Sequence, residues 1–324
     1  MRLSHQTTGK YYFLLYHKAM SLHPALTPIA ADPKMTVRVP PPTVPFAAIR
    51  KAANAAMSTG PRPDMARVED TIVDAATPVP VRLYHPSNIS SSSVIVFYHG
   101  GGFVWGSLDT HDGLCRRMAS RTGAKVVSVG YRLSPEAPFP AAETDVGLVT
   151  DALIEGFFET TVTADRLILC GDSAGGYLAF LETCRLVDRG TTPAGLGLIY
   201  PALDPSCSGQ SHVTNAGGPI LTTEAMRWFW TCHAPFDIAP PFEKAPLHTF
   251  PPTHILVAGH DPLRNDGTRL HDHLSDLNVK STLLEAPDMA HGFLNLPMAY
   301  DVWKSHEMAL FDSLGATVMS HGAV

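Results

Sequence analysis

Six apolar runs rich in β-branched residues recur along the middle and end of the chain: VIVFYH (94–99), AKVVSVGYR (124–132), RLILCG (166–171), LGLIYP (196–201), HILVAG (254–259) and STLLEA (281–286). None alternates strictly with polar residues. That pattern predicts buried strands covered on both faces, as in a parallel sheet. Two earlier stretches, ARVEDTIVDA (66–75) and VPVRLYHP (79–86), do alternate and predict an antiparallel pair that opens the sheet.

Between these runs the apolar period changes to that of a helix. DGLCRRMASRTG (112–123) ends on a glycine cap, and AAETDVGLVTDALIEGF (141–157) carries apolar residues at helical spacing. In GGYLAFLETCRLVDRG (175–190), the spacing of Tyr177, Leu181, Cys184 and Val187 predicts one buried stripe. Helical patterns at 264–278 and 299–319 complete the set. Strand and helix alternate, so the fold class is α/β, with a mostly parallel, doubly wound sheet of eight strands. Prolines agree: none falls between Ser87 and Ser134 or between Ala141 and Thr192, where regular core structure is required.

Two regions break the rhythm. Residues 1–60 hold short helical patches interrupted by prolines. Residues 204–250 insert a glycine-rich loop and TEAMRWFWTCHAP (223–235). Both read as additions to a core made of 61–203 and 251–324, and together they suggest a helical cap over the strand ends. No internal repeat is evident.

Composition narrows the partners. The 324 residues include 45% hydrophobic types, enough for a large core, and the net charge is −6 with a pI near 6.2. Without a Lys/Arg run, nucleic acid and anionic membrane are poor partners. The longest apolar run near the start, YYFLLY (11–16), is too short for a signal-peptide core or a membrane span, so the reading is a soluble, cytoplasmic protein. The five cysteines are odd in number and form no CxxC pair, which argues for reduced, packed thiols rather than disulfides or zinc. His271 and His273 lie two apart on a helix and face different ways, so they propose no metal site.

The chemistry begins at LCGDSAGGYLAF (169–180). It contains G-x-S-x-G as Gly171-Asp172-Ser173-Ala174-Gly175, between an apolar strand and a helix. In that context the serine sits exposed on a sharp, strained turn, as a nucleophile must. A serine needs a base, and the base an orienting acid. Asp261 follows the strand HILVAG, and His291 follows the strand running into APDMAH. The three groups then share the carboxyl edge of the sheet, where open α/β sheets place their sites. Asp288 is the rival acid, and Asp261 could instead cap the helix after it. Ahead of these, HGGGF (99–103) places three glycines after a strand. Gly101 and Gly102, with the N–H of Ala174, are candidates for the donors that receive an oxyanion, where side chains would block the substrate. His99 is expected to brace this loop by hydrogen bonds, and Asp172 to be structural.

These segments, with YRLSPEAPFPAA (131–142), DPLRNDG (261–267) and HGF (291–293), resemble the hormone-sensitive-lipase-like branch of the α/β-hydrolases over roughly residues 66–320. The resemblance implies an α/β-hydrolase fold and a serine carboxylesterase that needs no cofactor or metal, acting on a small-molecule ester. It matches Ser173, Asp261 and His291 to a catalytic triad, and Gly101, Gly102 and Ala174 to an oxyanion hole. It matches residues 1–60 and 204–250 to the family's cap. It also implies a homodimer through the last strand or helix. Asn265 departs from the acid many relatives carry there. Phe103, Trp105, Tyr177 and Trp228 are the candidate substrate-binding side chains. Two alternatives stay open: an amide, formamide or lactone hydrolase using the same residues, and a non-catalytic receptor on this fold.

Overall fold

The eight apolar or alternating runs all form strands of one sheet in the computed structural model, which describes residues 21–57, 60–74, 77–156, 162–234 and 241–322. The YYFLLY run lies outside the described residues. The strands are β1 (Arg67–Val73), β2 (Val79–His85), β3 (Val94–Tyr98), β4 (Lys125–Val129), β5 (Leu167–Asp172), β6 (Gly195–Ile199), β7 (Thr253–His260) and β8 (Ser281–Ala290). Their order across the sheet is β1-β2-β4-β3-β5-β6-β7-β8. β2 runs antiparallel to both β1 and β4, and every other pairing is parallel.

Helices pack on both faces because the central strands are apolar on both. Val94, Val96 and Tyr98 of β3 join one core with Leu167 and Leu169 of β5, whereas Ile95, Phe97, Ile168 and Cys170 face the other. The first core is covered by α3 (Ala141–Glu155), α4 (Ala174–Asp188) and α6 (Arg264–Asp276); the second by α2 (Asp112–Thr122) and α7 (Tyr300–Gly322). The α4 stripe read from the sequence is only its flank. Tyr177 is buried, but Leu181, Cys184 and Val187 are half-buried, and the deeper face carries Ala179, Thr183 and Leu186. A helix behind the middle of a doubly wound sheet is covered on more than one side, so a single stripe understates it.

Two further helices lie over the carboxyl ends of the strands. α1 (Phe46–Ala56) comes from the N-terminal segment, and α5 (Thr223–His233) from the insertion after β6. Thr222 caps α5 by accepting from the N–H of Ala225 at 3.1 Å. The two additions meet: the N–H of Val37 donates to the carbonyl of Ile220 at 2.7 Å, and Thr36 Oγ1 to that of Pro219 at 3.3 Å.

Candidate active site

Ser173 occupies the turn between β5 and α4 at φ 53°, ψ −117°, a strained setting for a residue with a side chain. The turn can be this tight because Gly175 lies against the backbone of β3, where a Cβ would overlap the carbonyl of Tyr98. The N–H of Ser173 donates to the carbonyl of Ile199 at 2.8 Å, fixing the turn to the next strand. Ser173 Oγ is 3.0 Å from His291 Nε2, and His291 Nδ1 is 2.7 Å from Asp261 Oδ2. A carboxylate oxygen only accepts, so Nδ1 carries the proton and Nε2 is free to receive one from the serine.

Asp261 is fully buried. Its second oxygen accepts from the N–H of Leu263 at 2.8 Å, so the turn role and the bond to His291 coexist on one carboxylate. Among the described residues Asp288 makes no hydrogen bond to His291, whose Nδ1 partner is Asp261; the Asp288 backbone carbonyl accepts from the N–H of His23 at 2.9 Å. Asn265 binds the 211 segment, its Oδ1 accepting from the N–H of Ser211 at 2.6 Å.

The glycine loop stands opposite. Among the described residues, no acceptor meets the N–H groups of Gly101, Gly102 or Ala174, while those of Val104 and Trp105 both bond the carbonyl of Gly101 at 3.1 Å. Ala174 opens α4, where helix N–H groups have no partner within the helix. The reason for glycine differs from the one read in the sequence. Gly101 has φ 121°, and a Cβ there would strike the Trp105 carbonyl; at Gly102 it would strike the Phe229 ring. The protein itself fills the space that side chains would need.

Two buried groups hold the loop from below. His99 Nδ1 donates to the carbonyl of Gly100 at 2.8 Å, and its carbonyl accepts from the Tyr131 hydroxyl at 2.6 Å. Burial lowers the His99 pKa to about 4, keeping the imidazole neutral. Asp172 Oδ1 accepts from the N–H of Gly100 at 2.7 Å. Burial alone would raise its pKa, but His111 at 3.3 Å, the N–H of Gly100 and His99 together outweigh that and hold it low.

Ser173, His291, Gly101 and Gly102 open onto a cavity of about 540 Å³ that is otherwise largely apolar. Residues from 34–57, including Val37, Ile49 and Ala53, form its roof; Leu221, Met226 and Phe229 form a wall.

The chain is similar to known proteins over most of its length. A family model described as the alpha/beta hydrolase fold matches residues 95–295. Esterase LipI of Mycobacterium tuberculosis is 38% identical over 240 residues, covering 70% of this chain and 75% of that protein. Carboxylesterase NlhH of the same organism is 36% identical over 245 residues, covering 72% and 77%. A solved hyperthermophilic esterase from the archaeon Pyrobaculum calidifontis superposes with a TM-score of 0.79 at 31% identity, covering 93% of this chain and 99% of that one. The chain belongs to the α/β-hydrolase family, in its hormone-sensitive-lipase-like branch. It is a carboxylic-ester hydrolase.

Within this hydrolase, the candidate substrate-binding aromatics separate. Trp105 lines the cavity. Phe103, Tyr177 and Trp228 are not part of that lining. Phe103 is fully buried, its ring stacked on His233 at 3.9 Å and edge-on to Tyr177 at 5.7 Å. Trp228 stacks on Phe46 at 6.1 Å, joining α5 to α1 outside the cavity. Sequence reasoning missed the lining residues Tyr200 and Asn295. Asn295 lies just past the HGF motif and Tyr200 just past β6, so position at a strand's carboxyl end was the available signal.

Proposed function

We propose that Ser173, His291 and Asp261 hydrolyse short-to-medium acyl esters through an acyl-enzyme. The observation that carries this is the continuous chain from Ser173 Oγ through His291 to Asp261, at 3.0 and 2.7 Å, opening onto an apolar, roofed cavity. Ser173 Oγ bonds to the ester carbonyl carbon as its proton passes to Nε2. The N–H groups of Gly101, Gly102 and Ala174 receive the oxyanion. The C–O bond to the alcohol breaks, and the alcohol leaves with the proton from Nε2. Water then gives a proton to Nε2 and attacks the acyl carbon; the acid is released and Ser173 regains its proton. Asp261 holds the tautomer and stabilises the imidazolium.

In this reading residues 1–60 and 204–250 act as one cap, and its roof limits acyl length. Each methylene buried in the cavity contributes about 0.8 kcal/mol until the space is filled. Rates then rise to an optimum near C4–C8 and fall beyond it. The test is kcat/KM for nitrophenyl esters from about C2 to C16, alongside amide and lactone substrates. A maximum at C12 or longer, or activation above the micelle concentration, would overturn the closed-pocket reading. Faster turnover of amides or lactones would overturn the ester assignment.

A further inference from the structure

The N-terminal helix α1 does more than roof the cavity. Arg50 and Asn54 lie one turn apart on it and reach the same loop from one face. Arg50 Nε donates to the carbonyl of Val104 at 2.7 Å, and Nη2 to that of Ser134 at 2.7 Å. The outer side of the guanidinium pairs with the largely exposed Glu136 carboxylate. Asn54 Oδ1 accepts from the N–H of Gly106 at 3.0 Å. The loop from Gly101 to Gly106 is therefore gripped at two points by a helix about fifty residues earlier in the chain.

The Arg50 contact has a direction. The Val104 carbonyl and the Trp105 N–H belong to one peptide group, and that N–H donates to the carbonyl of Gly101 at 3.1 Å. The Gly101 carbonyl and the Gly102 N–H form the next peptide group. A cation on the Val104 oxygen draws electron density toward it, which strengthens the Trp105 donor. That in turn polarises the Gly101–Gly102 peptide and leaves the Gly102 hydrogen more positive. Such chains reinforce one another where water is excluded. We propose that Arg50, with Asn54, is a positioning residue for ester hydrolysis: it aims and polarises the Gly102 N–H at the oxyanion. The inference rests on the oxyanion role given above to Gly101 and Gly102.

The test compares Arg50→Gln, Arg50→Lys and Asn54→Ala with the parent protein. It reads kcat and KM on a nitrophenyl butyrate, melting temperature, and inhibition by an aliphatic trifluoromethyl ketone, whose tetrahedral adduct places an oxyanion in the hole. A whole donor is worth about 10²–10³ in turnover, so a misaimed one in Arg50→Gln should cost about 10–100-fold in kcat with KM within about twofold. The ketone Ki should rise by the same factor. Arg50→Lys, which keeps the charge but loses the fork, should fall between, and Asn54→Ala should lose about 3–10-fold. A rise in KM with kcat unchanged, or a kcat loss with no change in Ki, would overturn the proposal. Should Arg50→Gln fail to fold, the other two variants carry the same correlation between kcat and Ki, and its absence there overturns the proposal equally. A parent protein that the ketone does not inhibit would instead sink the oxyanion reading itself.

Discussion

Among the described residues, two Ser–His–acid chains are joined by hydrogen bonds. One is Ser173–His291–Asp261. The other is Ser134–His233–Glu143, in which Ser134 Oγ lies 3.3 Å from His233 Nδ1, and His233 Nε2 lies 2.9 Å from Glu143 Oε1. Both run from serine through histidine to a carboxylate, yet the settings differ at each step. Ser173 and His291 each keep 8% of their surface open, while Ser134 keeps 1% and His233 none. The first serine sits on a strained turn at a helix N-terminus, facing N–H groups without acceptors. The second has its imidazole packed between aromatic rings, 3.9 Å from Phe103 and edge-on to Phe139 and Tyr177. No substrate carbonyl can reach it. The second chain instead joins α5 to α3, because His233 ends α5, Glu143 lies on α3, and the N–H of Ser134 donates to the carbonyl of Phe103 at 2.9 Å. A triad is therefore defined by access and by a place for the oxyanion, not by three residue types in hydrogen-bond reach.

The comparison breaks first at the serines. Ser173→Ala should leave a folded protein whose ester hydrolysis falls by about 10⁴ or more, while Ser134→Ala should stay within about threefold of the parent. A phosphonate reagent followed by peptide mass analysis should mark the peptide holding Ser173 and leave that of Ser134 unmodified. Comparable losses from both alanines would erase the distinction.

The acids give the next contrast. Asp261→Asn removes the acceptor that fixes the His291 tautomer and should lower kcat by about 10⁴. Asp288→Asn should change it little. In the sealed chain, Glu143→Gln keeps an oxygen for the imidazole, so kcat should hold and stability should fall by about 1–2 kcal/mol in denaturant titration. If Asp288→Asn were the most damaging of the three, the orienting acid would be misassigned.

What the sequence made legible follows a physical divide. Strands and their order of chemistry were legible because they depend on local period and on motif context: the eight apolar or alternating runs all became strands, and the elbow at Ser173 lies where strand meets helix. Tertiary packing was not legible. Phe103 and Tyr177 read as pocket aromatics, yet both rings are buried against Trp230 and His233. Arg50 and Asn54 carry no local signature, since their partners Val104 and Gly106 lie more than fifty residues away and are backbone atoms. A contact to backbone leaves no mark on the partner's residue type. The glycine triplet was half legible: close approach was evident, but the approaching groups, the Trp105 carbonyl and the Phe229 ring, come from fold context.

A last effect concerns the support of the first chain rather than its chemistry. His99 lies under the glycine loop, stacked on Tyr131 at 4.3 Å and on His111 at 5.6 Å. Burial first, and then the field of His111, lower its pKa from 6.5 to about 4. A depressed value means that the unfolded chain binds the proton more readily. The stability from keeping His99 neutral is thus fully present above pH 6.5 and is lost as pH falls toward 4. Each proton taken up on unfolding contributes a slope of about 1.4 kcal/mol per pH unit. His99→Gln cannot titrate, so its unfolding free energy should fall less steeply over that window, by up to this slope. The sealed chain's Ser134→Ala, which removes no titrating group, should run parallel to the parent. Urea titrations at half-unit steps from pH 7 to pH 4 measure both. Parallel curves for His99→Gln and the parent would show that His99 takes no proton on acid unfolding, and that the loop beneath Ser173 is held by packing and hydrogen bonds alone.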